Sequence, residues 1–208
     1  MIFIKNIKKG KKNFIKLRYL LLILGISTLL LKEITTFIKI YTEQKSIEVF
    51  YSEQEKIIET QEIKTHEELT TSKDKLLTYN YIAMLKIPKI NLERGLVSPT
   101  SIHNNVNENI QILKESDYPD KENGNFILAS HSGRGKTAYF KYLNKLEIDD
   151  KVYITFNGKE YEYKVMNYYE INKNGTAHII RNADETTLTL ITCISNTNKQ
   201  IVYICELI

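Results

Sequence analysis

One stretch constrains the fold more than any other: Lys151-Val-Tyr-Ile-Thr-Phe156, then Asn157-Gly158, then Lys159-Glu-Tyr-Glu-Tyr-Lys-Val165. Both arms alternate apolar and polar side chains, so each reads as a strand with one face turned to a core. Asn-Gly tolerates the positive φ angles of a type I′ turn, which makes the pair an antiparallel hairpin. Other segments have the same character: Tyr81–Ile87, stopped by Pro88; the mostly apolar Asn125–Ser130; Thr187–Cys193; and Gln200–Leu207. Short helices are predicted from Ser101, as N-cap, through Leu113, and over Thr137–Leu146, where Tyr139, Phe140, Leu143 and Leu146 share a side. Many short strands with scattered small helices predict an all-β domain, a closed or nearly closed barrel. The chain of 208 residues has room for one domain of roughly 120–150 residues plus appendages.

The appendages lie at the front. Tyr19–Leu31 carries no charge, and the apolar length extends back to Phe14 and forward to Ile38 if Lys16 and Arg18 snorkel to the headgroups. A cleaved signal peptide is the rival reading, but Lys-Glu-Ile-Thr-Thr after Leu31 has no small-x-small cleavage pattern. The expected organisation is a basic cytoplasmic tail over 1–13, a transmembrane helix over 14–38, a helical stalk over 39–76 that loosens across 67–75, and the barrel over 77–208. The positive-inside rule leaves the barrel outside the cell. Along the stalk Tyr41, Ile47, Phe50, Tyr51, Ile57 and Ile58 recur at helical spacing, suiting either dimerisation or packing on the domain.

The net charge of +4 is concentrated before residue 20, in Lys5, Lys8, Lys9, Lys11, Lys12, Lys16 and Arg18, so the body of the chain has no nucleic-acid footprint. With only Cys193 and Cys205, a disulfide framework and a CxxC metal knuckle are excluded; a free thiol, a buried filler or one bridge remain. A nucleophilic cysteine needs a neighbour that accepts its proton, usually histidine. Cys193 ends one apolar strand, and His131 ends another and opens the turn His131-Ser-Gly-Arg-Gly135. Two strand ends of this kind can meet at one rim of a barrel.

Ile127-Leu-Ala-Ser-His131-Ser-Gly, with Ala138-Tyr-Phe140 and Leu143-Asn-Lys-Leu146 after it, resembles the histidine segment of the sortase family. Thr187-Leu-Thr-Leu-Ile-Thr-Cys193 is similar to that family's nucleophile strand, and Asp150–Ile154 to the strand that follows its histidine segment. Leu85-Lys-Ile-Pro-Lys-Ile90 and Asn123-Gly-Asn125 resemble its opening strand and pre-histidine turn. The resemblance covers about residues 80–208 in the family's order. It implies an eight-stranded sortase barrel and a cysteine transpeptidase of Gram-positive cell surfaces. Cys193 is then the nucleophile and His131 its acid–base partner. The implied substrates are secreted proteins bearing an LPxTG-like sorting signal, with an amine of cell-wall precursor or of a pilin as acceptor. The anchor's partner is membrane lipid, and no cofactor is implied. Thr192 matches a substrate-contact position, Ser132 is a further candidate for substrate binding, and the backbone N–H after Cys193 is a generic oxyanion donor.

One position departs from the family, which carries an arginine at the start of the final strand, facing the cysteine. Gln200 stands there. Three readings follow: Gln200 donates as a neutral group, Lys199 supplies a cation after a register shift, or catalysis is impaired. Arg134 and Arg181 have no argument placing them at the site. A thiol hydrolase and a non-catalytic sortase-like scaffold therefore stand beside the transpeptidase. The absence of a second apolar segment after Cys193 favours protein anchoring over pilus assembly. Glu108, Glu115, Asp117, Asp120 and Glu122 have the composition of a calcium site but not its spacing, so no metal is expected. His66, His103 and His178 read as solvated, and Cys205 as a core residue.

Overall fold

The computed structural model describes residues 3–62 and 79–208, with side chains over 18–58 and 79–208. The hairpin forms as its sequence dictates. β5 (Lys151–Phe156) and β6 (Lys159–Asn172) pair from Phe156↔Lys159 to Lys151↔Lys164. Asn157 (φ 50°) and Gly158 (φ 76°) both take positive φ, as a type I′ turn requires. Alternation sends Val152, Ile154, Phe156, Tyr161, Tyr163 and Val165 into one buried cluster.

β6 then does something its sequence does not announce. Val165 lies opposite Cys205 and Asn167 opposite Ile204, so Met166 is an extra residue in the ladder. A bulge of one residue exchanges the two faces of everything after it. Tyr163 and Val165 accordingly point into the barrel, whereas Tyr169 and Ile171 join a second cluster on the outer face.

The remaining strands are β1 (Tyr81–Ile87), β2 (Leu92–Val97), β3 (Gln111–Ile112), β4 (Asn125–Ala129), β7 (Thr187–Cys193) and β8 (Lys199–Leu207). Among the described residues the sheet has eight strands in the order β2-β1-β5-β6-β8-β7-β4-β3. Every pair is antiparallel except β4 with β7, which the β5–β6 hairpin separates in sequence. The two ends of this order, β2 and β3, approach each other without sharing a ladder. Asn109 bridges them: its Nδ2 donates to the Gly95 carbonyl (3.0 Å), and its Oδ1 accepts from Nε of the buried Arg94 (2.8 Å). The barrel is therefore nearly closed, with side chains completing its seam.

Two predicted helices are absent. From Ser101 to Leu113 the chain makes turns and the short strand β3, because asparagine amides take the backbone groups a helix would need. Asn104, for example, accepts from the Ile112 N–H (2.8 Å) and donates to the Ile112 carbonyl (2.9 Å). Over Thr137–Leu146 there are tight turns and a 3-10 turn at Leu143–Lys145, although Phe140, Leu143 and Leu146 are buried as their pattern suggested.

Helix α1 runs from Phe3 to Glu62, and the chain divides into two compact units, Met1–Lys45 and Ser46–Ile208. In the first, Tyr19–Leu31 is exposed along its length, and the stretch from Arg18 is long and apolar enough to cross a membrane. In the second, the end of α1 packs on the barrel, so residues 46–62, expected as stalk, belong with the domain expected at 77–208. Phe50 is buried against Tyr81, Met84 and Val97, with Ile47 beside it. Ser46 Oγ accepts from the Tyr79 N–H (2.8 Å), the Tyr51 hydroxyl donates to Glu93 (2.7 Å), and Gln54 accepts from the Gly158 N–H. Gly95 lies under the Tyr81 ring, where any Cβ would come within 2.2 Å of a ring carbon. Of the stripe's two roles, packing on the domain is what Ile47 and Phe50 do. The loosening over 67–75 and His66 lie outside the described residues.

Candidate active site

The register of β4 against β7 decides what meets at their ends. Asn125 Oδ1 accepts from both Thr187 Oγ1 (3.1 Å) and Thr189 Oγ1 (2.8 Å), all three residues being buried. That locks Asn125 opposite Thr187 and Ala129 opposite Ile191. Past the ladder the pairing is continued by single bonds. The Ser130 N–H donates to the Ile191 carbonyl (3.2 Å), Thr192 Oγ1 to the Ser130 carbonyl (2.7 Å), and Ser132 Oγ to the Cys193 carbonyl (2.5 Å). His131 is thus bracketed by two serines, each bonded to β7, and its own carbonyl accepts from the Phe140 N–H (3.1 Å). His131 and Cys193 occupy matching positions at the ends of two adjacent parallel strands, and both are half-buried.

Alternation along the strands puts this pair on the barrel's outer face. Ile127, Ile191, Val202 and Ile204 form the outer cluster, and Cys193 follows Ile191 on the same side of β7. Directly opposite Cys193 on β8 is Gln200, and opposite Gln200 on β6 is Ile171, carried outward by the bulge at Met166. Lys199 belongs to the other face, and its Nζ bonds Glu170 Oε2 at 2.7 Å. The register shift that would bring Lys199 to the thiol does not occur. Arg181 is committed to the carbonyls of Asn182, Glu185 and Asn123, each at 3.0 Å.

Several expected roles change once these bonds are counted. The N–H after the cysteine, on Ile194, donates to the Lys199 carbonyl (2.9 Å), closing the β7–β8 turn, so it is not free to meet an oxyanion. Thr192 is 4% exposed and its hydroxyl donates to the Ser130 carbonyl, which ties the strand ends. Ser132 plays the same tying role toward Cys193. Cys205 lies opposite Leu188, fully buried in the interior cluster, and burial pushes its thiol pKa up. A bridge to Cys193, on the opposite face and at the other end of the β7–β8 ladder, is out of reach, and both cysteines are free.

Asn107 carries no motif in the sequence, yet its Oδ1 is 3.4 Å from Nε2 of His131. His103, expected to be solvated, pairs through Nδ1 with Glu108 Oε2 at 2.6 Å. The Lys121 ammonium on Asp117 (2.5 Å) holds that carboxyl below the usual range, and the same carboxylate accepts from the Asn125 N–H (3.1 Å). His178 lends its carbonyl to the Tyr169 hydroxyl (3.0 Å).

Comparison with known proteins now places the barrel. The Sortase domain family model matches residues 85–208, and the chain belongs to that family. It is 30% identical to Sortase A of Bacillus anthracis over 114 residues, 55% of this chain and 52% of that protein. With Sortase D of Bacillus subtilis (strain 168) it shares 29% over 110 residues, 53% and 52% of the two lengths. The chain thus spans about half the length of the curated relatives it matches. Among solved structures, a Sortase D5 transpeptidase of Clostridium perfringens superposes with a TM-score of 0.57 at 22% identity, covering 82% of this chain and 98% of that one.

Proposed function

We propose that the chain is a membrane-anchored cysteine transpeptidase acting on sorting signals of secreted proteins. The Cys193 sulfur attacks the carbonyl carbon of the scissile peptide bond while His131 takes the thiol proton. The C–N bond then breaks, His131 returns the proton to the leaving amine, and a thioester remains on Cys193. An amine of cell-wall precursor or of a pilin attacks that thioester, forms the new amide and restores the thiol. Gln200, across the strand from Cys193, donates its amide hydrogens to the oxyanion of each tetrahedral intermediate. The apolar part of α1 holds the chain in the membrane, with the basic residues before it on the cytoplasmic side and the barrel outside.

The observation that carries this reading is the stitching of His131's two flanking serines to the carbonyls of Ile191 and Cys193. A core histidine or filler cysteine has no need of half-buried matched ends on an outer face. The test is mass spectrometry of the full chain in detergent, incubated with a panel of LPxTG-like peptides with and without amine acceptors. An acyl adduct on Cys193 that is discharged by amine, and that is absent from Cys193→Ala and His131→Ala, is expected. Discharge by water alone makes the protein a thiol hydrolase. Gln200 in place of a cation favours one further reading, a scaffold that binds sorting signals without cleaving them; intact peptide binding with an unreactive Cys193 is its signature.

A further inference from the structure

The chain holds three Asn-Gly pairs, Asn123-Gly124, Asn157-Gly158 and Asn174-Gly175. We propose that the third is a self-modifying site: Asn174 cyclises onto its own backbone and reopens as isoaspartate, loosening a segment packed on the outer face that carries Cys193. The chemistry needs only water. The Gly175 amide gives its proton to hydroxide, and its nitrogen attacks Cγ of Asn174, with no Cβ on the glycine to shield it. The tetrahedral intermediate expels Nδ2 as ammonia and leaves a five-membered succinimide. Water then adds to one ring carbonyl and the C–N bond there breaks. Addition at Cγ gives aspartate; addition at the main-chain carbonyl gives isoaspartate, whose chain runs on through the side chain.

By sequence the three pairs are equivalent; hydrogen bonding separates them. The attacking nitrogen must lose its proton, so an N–H already bonded to an acceptor is protected. The Gly124 N–H donates to the Lys121 carbonyl (3.1 Å), and Gly124 is buried. The Gly158 N–H donates to Gln54 Oε1. Gly175 is exposed, its N–H has no acceptor among the described residues, and nothing lies within 4 Å of where a Cβ would stand. The carboxamide beside it is turned forward along the chain, because Asn174 Oδ1 accepts from the Thr176 N–H (3.2 Å). That bond brings Cγ alongside the Gly175 nitrogen and puts a donor on the oxygen that becomes negative in the tetrahedral intermediate.

The chain is tied on both sides of this pair. The Lys173 N–H donates to the Asn198 carbonyl (3.0 Å), in the turn between Cys193 and Gln200. Beyond it, Ala177 and Ile179 pack on the outer cluster, and the Tyr169 hydroxyl donates to the His178 carbonyl (3.0 Å) and accepts from the Ile180 N–H (2.6 Å). Isoaspartate adds one carbon to the main chain between these fixed points, and the excess lifts Ala177 and its neighbours from the cluster. Aspartate from the same ring adds only a charge beside Lys173. The chemistry at position 174 stands apart from the transpeptidase reading, and its effect on turnover rests on that reading.

The test ages the full chain in detergent at neutral pH and follows each Asn-Gly pair by peptide mass spectrometry, with fragmentation that tells isoaspartate from aspartate. Position 174 is expected to lose its amide about tenfold or more faster than positions 123 and 157, each of which must first break a hydrogen bond. In the urea-unfolded chain all three react alike. Asn174→Gln, whose ring would have six members and closes far more slowly, keeps its amide. Aged wild type is expected to show faster hydrogen exchange at the Ile180 N–H and a kcat/KM on a sorting peptide lower by about two- to tenfold, as for a displaced wall of the site. Asn174→Gln aged alongside shows neither change. Equal rates at the three pairs in the folded chain, or an intact Asn174 once the unfolded chain has reacted, overturns the site. Unchanged Ile180 exchange in protein carrying isoaspartate overturns the loosening. Wild type inert toward every sorting peptide overturns the transpeptidase reading alone, since amide loss and exchange are read without turnover.

Discussion

Across the strand from Cys193 stands a side-chain amide, that of Gln200. The Ile194 N–H is consumed by the turn, Lys199 by Glu170, and Arg181 by three carbonyls. If Gln200 meets the oxyanion, Gln200→Ala lowers kcat by about 10²- to 10³-fold with little change in KM, since the interaction exists only once charge has developed. Gln200→Arg restores the charge and raises kcat above wild type. Steady-state rates on one sorting peptide check both, and unchanged rates in both variants point to a different donor. The departure at position 200 was readable from the sequence; the loss of the backbone donor was not, because it depends on how tightly the β7–β8 turn closes.

Elements make the site through register. β5–β6 was legible because a hairpin's signal is local: alternation and Asn-Gly suffice. The bulge at Met166 leaves no such mark, since Tyr161 to Ile171 continues an unbroken strand-like pattern whatever face each side chain takes. β3 was missed for a related reason, since a two-residue strand is defined by its partner and not by its own residues, and β2 because Leu92-Glu-Arg-Gly-Leu-Val97 interrupts its apolar pattern with two charges and a glycine. Cys193, His131 and Gln200 carried a recognisable pattern, whereas Asn107 could be found only from coordinates, in a loop whose asparagines had read as a helix. Thr192 shows the same limit, its hydroxyl serving the strand pairing. Thr192→Val keeps the volume and leaves the buried Ser130 carbonyl without that donor, a loss of about 1–3 kcal/mol. Urea unfolding is expected to show a lower midpoint with unchanged slope, and an unchanged midpoint removes Thr192 from the strand-end bonding.

On the scale of the whole molecule, the question is where the barrel domain ends. Sequence periodicity showed an apolar stripe through Phe50 but not what covers it, because dimerisation and intrachain packing have the same helical spacing. In the unit Ser46–Ile208 the cover is the outer face of β1 and β2: Phe50 seats on Tyr81, Met84 and Val97, and the Tyr81 ring occupies the space that Gly95 leaves open. The end of α1 is then a structural part of the domain, and removing its anchor weakens the barrel whose strands β4, β7 and β8 carry the site. Phe50→Ala in the full chain is expected to cost about 3 kcal/mol, the low end for a buried phenylalanine because the site lies on one face of a sheet and can partly close. The domain's urea midpoint falls accordingly, while Ile57→Ala, further along the helix and exposed at its surface, moves it by no more than about 0.5 kcal/mol. Equal and small effects from both substitutions would mean that the helix end rides on the barrel without stabilising it.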